Sequence, residues 1–189
     1  KKKKKKNKKK KNNIIQNFID KKLKVHSKLI TNLYKIKKMN LDKTIKYDAR
    51  YGNGMCSSDF NLFKTNSNLK KIEKDLTTIM ENQLKSQVFI IDSFFNILKS
   101  GSGTTPHNHV NQFDKNSGLI DQKYSLTYYL SIGDQNSNEP GILKLYEPGH
   151  EILPEKGMIV IIPASRKHSA VYDGKKDRVM IGINFYTLV

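Results

Sequence analysis

Three histidines in the second half of the chain have the residue type and the spacing to bind one metal ion. His107 and His109 form an H-x-H pair, and His168 follows much later. Side chains at positions i and i+2 of an extended strand point to the same face, so both imidazoles of the pair could reach one ion. An H-x-H pair alone is equally compatible with two loop histidines. His168 supplies the third nitrogen that favours a shared site for a transition metal.

An arginine that needs an anionic partner is predicted near these histidines. Arg178 begins an apolar segment in which residues alternate between two faces. One face is apolar and suited to packing against helices, whereas Arg178 heads the other. An enclosed charge requires a partner, and a planar guanidinium is well suited to a carboxylate. The apolar face holds Val179, Ile181, Ile183 and Phe185, and the other face holds Arg178, Met180, Gly182 and Asn184.

The elements that must position these residues are predicted to be short strands. Each is rich in β-branched or aromatic residues and is bounded by glycine, proline or asparagine. Many short strands with polar turns between them are typical of a sandwich or a jelly roll. Gly101 and Gly103 are expected to end the first strand. The predicted strands are Val88 to Leu98, Tyr124 to Ile132, Ile142 to Tyr146, Met158 to Ile162, His168 to Tyr172 and Arg178 to Leu188.

The first 86 residues differ from this pattern and divide into a tail and a helical segment. Apolar residues recur at helical spacing over 14–39 and again over 69–84. Residues 40–69 are expected to form loops and short strands. We therefore predict a disordered Lys/Asn-rich tail at 1–13, a helical extension covering the core at 14–86, and a jelly-roll domain at 87–189.

The net charge of +18 is concentrated at the N-terminus. Residues 1–50 hold 20 Lys and Arg against 3 Asp and Glu, whereas the rest of the chain is nearly balanced, with 15 against 14. A block of like charges is commonly a solvated extension. It also attracts polyanions by counterion release. We expect contact with nucleic acid only through this tail and without sequence specificity.

Cysteine usage and hydropathy point to an intracellular, non-membrane setting. Cys56 is the one cysteine, so no intramolecular disulfide can form. No apolar run approaches the roughly 20 residues needed to cross a bilayer. We expect a cytoplasmic location and no membrane partner. The first residue is lysine rather than methionine, which leaves open that the sequence is a piece of a longer protein.

Six motifs follow one another over about 80 residues. They are H-N-H at 107–109, L-T-Y-Y-L-S at 126–131, P-G-I-L-K-L-Y at 140–146, L-P-E-K-G before the apolar run 158–162, His168, and Arg178. Their order and spacing resemble the catalytic domain of prolyl-hydroxylase-like 2-oxoglutarate, Fe(II)-dependent oxygenases. The resemblance implies a mainly β fold, with a double-stranded β-helix (jelly-roll) core and N-terminal helices.

The same resemblance implies roles for individual residues. His107 and His168 would bind Fe(II), and Arg178 would pair with the distal carboxylate of 2-oxoglutarate. Tyr129 would hydrogen-bond that end of the cosubstrate, although an ordinary strand tyrosine is an equal alternative. Leu143 and Ala170 would form apolar walls of the pocket, where simple core packing is the alternative. Ascorbate is a candidate further cofactor.

One residue departs from the pattern of the oxygenases. His109 stands where they have Asp or Glu, so His107, His109 and His168 are the expected metal ligands. The spacing of Asp114 and Asp121 from His107 does not fit a strand-borne pair. The change is compatible with an active three-histidine site, with another metal, or with a domain that binds without catalysis.

The expected function is therefore a dioxygenase that hydroxylates an unknown substrate. The substrate would enter between the loops 109–122 and 165–167. One alternative is a non-catalytic cupin-like jelly roll that binds a metal or a ligand. Another is a polyanion-binding protein that acts through its lysine tail.

The polyanion alternative gives a direct test on the tail. We expect deletion of residues 1–11 to abolish binding to a DNA duplex, because the deletion removes 10 of the 20 Lys and Arg in residues 1–50, including the longest uninterrupted run. Binding by the full chain should weaken steeply as salt rises, measured by fluorescence anisotropy. Salt-insensitive binding that survives the deletion would contradict this interpretation.

Overall fold

A computed structural model describes residues 23–25, 27–36, 38–40, 50–51, 55–57 and 60–188. The tail predicted at 1–13 and the first part of the predicted helical segment lie outside the described residues. Among the described residues, no helix has the length and apolar character needed to cross a membrane.

The described residues form four α-helices and eleven strands. The helices are α1 (Ser27–Lys35), α2 (Leu62–Thr65), α3 (Lys70–Leu84) and α4 (Gln112–Asn116), with 3-10 turns at Ser67–Leu69 and Ile120–Gln122. The strands are β1 (Lys38–Asn40), β2 (Arg50–Tyr51), β3 (Met55–Ser57), β4 (Gln87–Leu98), β5 (Ser102–His107), β6 (Lys123–Ile132), β7 (Pro140–Leu145), β8 (His150–Ile152), β9 (Ile159–Pro163), β10 (His168–Tyr172) and β11 (Arg178–Leu188).

The strands form two antiparallel sheets. The large sheet has the order β1-β3-β4-β11-β6-β9, and the small sheet has the order β2-β5-β10-β7-β8. From β4 onward the chain passes repeatedly from one sheet to the other, so the two sheets face each other as the halves of a double-stranded β-helix. The predicted jelly-roll core with flanking helices is confirmed.

Strand β11 lies at the centre of the large sheet and separates its two faces. It pairs with β4 along its whole length and with β6 from Arg178 to Tyr186. The predicted alternation is confirmed on the outer face, because Val179, Ile181 and Ile183 are fully buried in the main core. The opposite face of β11 is turned toward the small sheet.

Helices α1, α2 and α3 cover the outer face of the large sheet. In α3 the predicted helical spacing is confirmed, and Leu76 and Met80 are fully buried. Both belong to the same core cluster as Ile183, as does Leu33 of α1. The described helices before residue 86 therefore share one core with the jelly roll.

Three local predictions were wrong or incomplete. The predicted helical stretch reaches 39, whereas α1 ends at Lys35 and Lys38–Asn40 is strand β1. Gly101 and Gly103 were expected to end the first strand. Gly101, with a φ of 76°, does lie in the turn after β4, but Gly103 lies inside β5, a strand that was not predicted. The three-residue strand β8 was not predicted, because so short a segment carries too little periodicity.

The shared core predicts that α3 contributes to global stability. We expect Leu76→Ala to lower the free energy of unfolding by about 2–5 kcal/mol, since it leaves a cavity in a close-packed core. Urea unfolding measures the change, and Lys74→Ala on the exposed side of α3 is the control. Similar small effects for both variants would mean that α3 does not stabilise the sheet.

Candidate functional site

The structure brings the three predicted histidines together at one end of the small sheet. His107 is the last residue of β5 and pairs in register with His168, the first residue of β10. His109 lies two residues beyond the end of β5, where its backbone N–H donates to the Ala164 carbonyl at 2.9 Å. One ring nitrogen from each histidine lies within 4.8 Å of those of the other two.

Backbone carbonyls orient two of these imidazoles for metal binding. Nδ1 of His107 lies 2.7 Å from the carbonyl of Thr105, and Nδ1 of His168 lies 2.9 Å from that of Arg166. A carbonyl oxygen only accepts, so in both rings Nδ1 carries the hydrogen and Nε2 is left with a lone pair.

The distance between two of the ligand nitrogens fits a shared ion. Nε2 of His109 lies 3.3 Å from Nε2 of His168. Adjacent nitrogen ligands of an ion with bonds of about 2.1 Å lie about 3 Å apart. The donor set therefore fits a divalent transition metal held by three imidazoles, which leaves coordination positions open on its other side.

Burial keeps two of the histidines in the form that binds metal. Burial, together with the neighbouring His168, His107 and Lys123, lowers the pKa of His109 to about 3. Burial and the neighbouring His107 lower the pKa of His168 to about 4, against the opposing effect of its bond to the Arg166 carbonyl. Both rings are therefore neutral near pH 7.

Arg178 lies at the other end of the space between the sheets. Its side chain is 1 % exposed, and its Cζ is 5.1 Å from the centre of the Tyr129 ring. Among the described residues, Nε and Nη1 have no hydrogen-bond partner. Burial lowers the pKa of Arg178, and Tyr129 and Tyr172 oppose that shift. A guanidinium nevertheless stays charged in proteins, so this end of the site is a buried cation that needs an acceptor.

Gly141 makes room for this guanidinium, a role that the sequence motif alone did not assign. Its φ is 85°, a conformation that favours glycine. A Cβ at this position would collide with Nη1 of Arg178 and press on Tyr172. Glycine is therefore required here both by its backbone conformation and by the packing of the cation.

A cavity of about 250 Å³ connects the arginine to the histidines. All seven predicted site residues line it: His107, His109, Tyr129, Leu143, His168, Ala170 and Arg178. The strand alternation already placed Met180, Gly182 and Asn184 on the arginine face, but no role followed from it. The other lining residues were missed, although the same alternation on β4 and β6 indicates several of them: Phe60, Phe94, Asn96, Thr104, Ser125 and Thr127.

A buried ionic network fixes the loop that follows His109. Asp114 is fully buried, and its Oδ2 accepts from Lys123 Nζ at 2.8 Å and from the backbone N–H of Asn111 at 2.6 Å. Its Oδ1 accepts from the hydroxyl of Tyr186. Burial acts to raise the pKa of Asp114, but these three hydrogen bonds outweigh it and hold the pKa below its usual value. Asp114 thus anchors the loop and is not part of the histidine cluster.

Comparison with solved structures identifies the fold. A 2OG-Fe(II) oxygenase family oxidoreductase from Burkholderia pseudomallei aligns with a TM-score of 0.62 at 11% identity, covering 85% of this chain and 78% of that one. HygX from Streptomyces hygroscopicus, with nickel and 2-oxoglutarate bound, gives 0.63 at 8% identity, covering 85% and 77%. The viral collagen prolyl hydroxylase of Paramecium bursaria Chlorella virus-1, in complex with 2-oxoglutarate, gives 0.57 at 12% identity, covering 85% and 89%.

These structures define the class of fold to which the chain is similar. It has the double-stranded β-helix of 2-oxoglutarate, Fe(II)-dependent oxygenases, and the resemblance noted in the sequence is confirmed as a likeness of fold. The likeness covers 85% of the chain and so extends beyond its C-terminal half. No protein-family model matches the sequence, and no curated protein matches it.

The network around Asp114 predicts a large cost for removing its cation. We expect Lys123→Met to lower the free energy of unfolding by about 3–5 kcal/mol, because a buried carboxylate loses its partner. The double variant Lys123→Met/Asp114→Asn should lose less than the sum of the two single variants. Urea unfolding of all four proteins measures the coupling, and strict additivity would contradict a direct interaction.

The same network predicts a sign for the effect of acid. The folded-state pKa of Asp114 lies below its unfolded value of about 3.9. The contribution of Asp114 to the free energy of unfolding is therefore fully present above a pH of about 3.9, and it is lost as the pH falls through the folded-state pKa. Unfolding curves from pH 6 downward should lose less stability in Asp114→Asn than in the unmodified chain.

Proposed function

We propose that the protein is an Fe(II)- and 2-oxoglutarate-dependent dioxygenase that hydroxylates an unreactive C–H bond of its substrate. One observation carries the proposal: a fully buried guanidinium lies in the same cavity as three clustered imidazoles, and two of its nitrogens have no hydrogen-bond partner in the described part of the chain. A ligand that joins the two ends must carry an anion at one end and metal-binding oxygens at the other. 2-Oxoglutarate has this form.

The cavity supplies a place for each part of the cosubstrate. The distal carboxylate accepts hydrogen bonds from Arg178, whose buried charge it neutralises. Tyr129 holds the guanidinium from one side and contacts the same end of the cosubstrate. Leu143 and Ala170 line the cavity between its two ends and exclude water from the carbon chain.

The histidines provide the metal site. His107, His109 and His168 hold the ion from one side, with two of the rings fixed by backbone carbonyls. When bound, Fe(II) couples the decarboxylation of 2-oxoglutarate by O2, which yields succinate and CO2, to the conversion of a substrate C–H group into C–OH. The chain itself orients the cosubstrate and shields the reacting atoms.

A second candidate is a cupin-like module that binds a metal or a ligand without turnover. The residue that favours it is His109, because three neutral ligands leave a divalent ion one charge more positive than two histidines and a carboxylate do. The free N–H groups of Arg178 favour the oxygenase, since metal binding alone gives them no purpose.

The two candidates differ in their response to 2-oxoglutarate. We expect the full chain, loaded with Fe(II) without oxygen, to develop a visible charge-transfer band as 2-oxoglutarate is added. On admission of O2 it should form succinate. Arg178→Gln should weaken 2-oxoglutarate binding about 30-fold or more, because it removes a buried charge pairing worth at least about 2 kcal/mol. His168→Ala should lose the band by losing the metal.

A matched control tests whether the effect of His168→Ala comes from the site and not from the loss of any one histidine. His150 of β8 is exposed, so His150→Ala should behave like the unmodified chain. Adding ascorbate to the same assay tests its predicted support of turnover. Iron binding with neither the band nor succinate would overturn the oxygenase and leave the binding module.

A further inference from the structure

Asn184 lines the cavity and has a buried side-chain oxygen without a hydrogen-bond partner among the described residues. The residue is 7 % exposed, lies on the arginine face of β11 and lines the cavity. Its Nδ2 donates to Oδ2 of Asp92 at 3.1 Å. Because a carboxylate only accepts, this bond fixes which way the amide is turned. Oδ1 is the atom left over, and it has no hydrogen-bond partner among the described residues.

Asn184 lies at the histidine end of the cavity. The His109 N–H donates to the Ala164 carbonyl, and the Ala164 N–H donates to the Lys123 carbonyl at 2.8 Å. Lys123 begins β6, in which Ser125 pairs directly with Asn184. Arg178 is six residues away on the same strand, about 20 Å in an extended chain. The acceptor therefore stands near the metal ligands and far from the buried cation.

An aromatic wall accompanies this acceptor. Phe60 and Phe94 both line the cavity and meet edge to face, with ring centres 5.4 Å apart and planes at 67°. Phe94 lies over Gly182, where any Cβ would collide with its ring. Phe60 is 42 % exposed and stands where the cavity meets solvent. A flat apolar group can pack here on its way to the histidines.

The unpaired oxygen of Asn184 disfavours an anionic substrate group beside it, because Oδ1 can only accept a hydrogen bond. Among the described residues that line the cavity, the cation is Arg178 at the far end, and none is a lysine, aspartate or glutamate. Nζ of nearby Lys123 is bound to Asp114. A carboxylate or phosphate placed beside Oδ1 of Asn184 would bring two acceptors together without a donor, which is costly in a buried site.

We propose that Asn184 is a substrate-recognition residue that accepts a hydrogen bond from an uncharged carboxamide-type N–H group, with the adjoining apolar part of the substrate packed on Phe60 and Phe94. Asp92 is its positioning residue, since its hydrogen bond with Nδ2 leaves Oδ1 as the free acceptor of the amide. The assignment rests on the proposed oxygenase function, and it deepens that function by naming the substrate class as neutral amides.

Benzamide and benzoate are matched probes for this proposal. They share one shape, but the first ends in an N–H donor and the second in an anionic acceptor. Binding to the full chain loaded with Zn(II), with and without 2-oxoglutarate, is measured by ligand-observed NMR. We expect the unmodified chain to bind benzamide more tightly than benzoate. In Asn184→Leu the ratio of the two affinities should fall about three- to tenfold, which is the usual contribution of a hydrogen bond between neutral groups.

Two further variants make the test specific. In Asp92→Asn the amide of Asn184 is no longer held in one orientation, so the preference for benzamide should fall although Asn184 is intact. Asn138→Leu repeats the main substitution at an exposed residue and should leave the preference for benzamide unchanged. Affinity for 2-oxoglutarate should stay within about twofold in Asn184→Leu, as expected for a residue that does not contact the cosubstrate.

The outcomes separate this proposal from the function on which it rests. Equal binding of the two probes, tighter binding of benzoate, or no binding of either overturns the recognition role while 2-oxoglutarate still binds. A loss of 2-oxoglutarate affinity in Asn184→Leu reassigns the residue to the cosubstrate and also overturns it. A benzamide preference that depends on Asn184, in a chain that never binds 2-oxoglutarate, supports the recognition site and defeats the oxygenase.

Discussion

The strict alternation of side chains along β11 is the constraint on which the rest of the structure depends. This strand is bonded on both sides, so a slip of one residue would exchange its two faces. With the observed register, Val179 and Ile181 enter the helix-covered core, whereas Arg178 and Asn184 face the cavity. Because the apolar residues of one face must be buried, the polar residues of the other face are fixed on the cavity side. The packing of the core therefore sets the geometry of the site.

The two ends of the cavity differ in their electrostatics. At one end a cation is enclosed, and Gly141 gives it room by having no side chain. At the other end the neutral imidazoles of His109 and His168, both partly buried, stand close together, which is unfavourable unless their lone pairs share an ion. Asp114 lies near that end, but Lys123 and Tyr186 have already engaged both of its oxygens. Asp114 therefore does not supply the acid that the cluster of three histidines lacks.

The sequence predicted the elements in which apolar and polar residues alternate regularly. Strands β10 and β11 start and end where predicted, because turn residues flank a clear periodicity. The seven site residues came from motif order, and all line one cavity. The role of Gly141 depends on a guanidinium distant in sequence, and the orientation of Asn184 depends on Asp92 in a neighbouring strand. Such contacts follow from register across the sheet, which a local pattern does not contain.

The burial of Arg178 has a consequence for the lifetime of the protein. A carboxylate that binds the folded chain at this guanidinium, and not the unfolded chain, stabilises the fold in proportion to the logarithm of its concentration. If 2-oxoglutarate binds Arg178 as proposed, the enclosed cation would link the abundance of that metabolite to the fraction of molecules that are unfolded and open to proteolysis. A group proposed to orient a cosubstrate would in this way also slow the loss of the protein when that metabolite is plentiful.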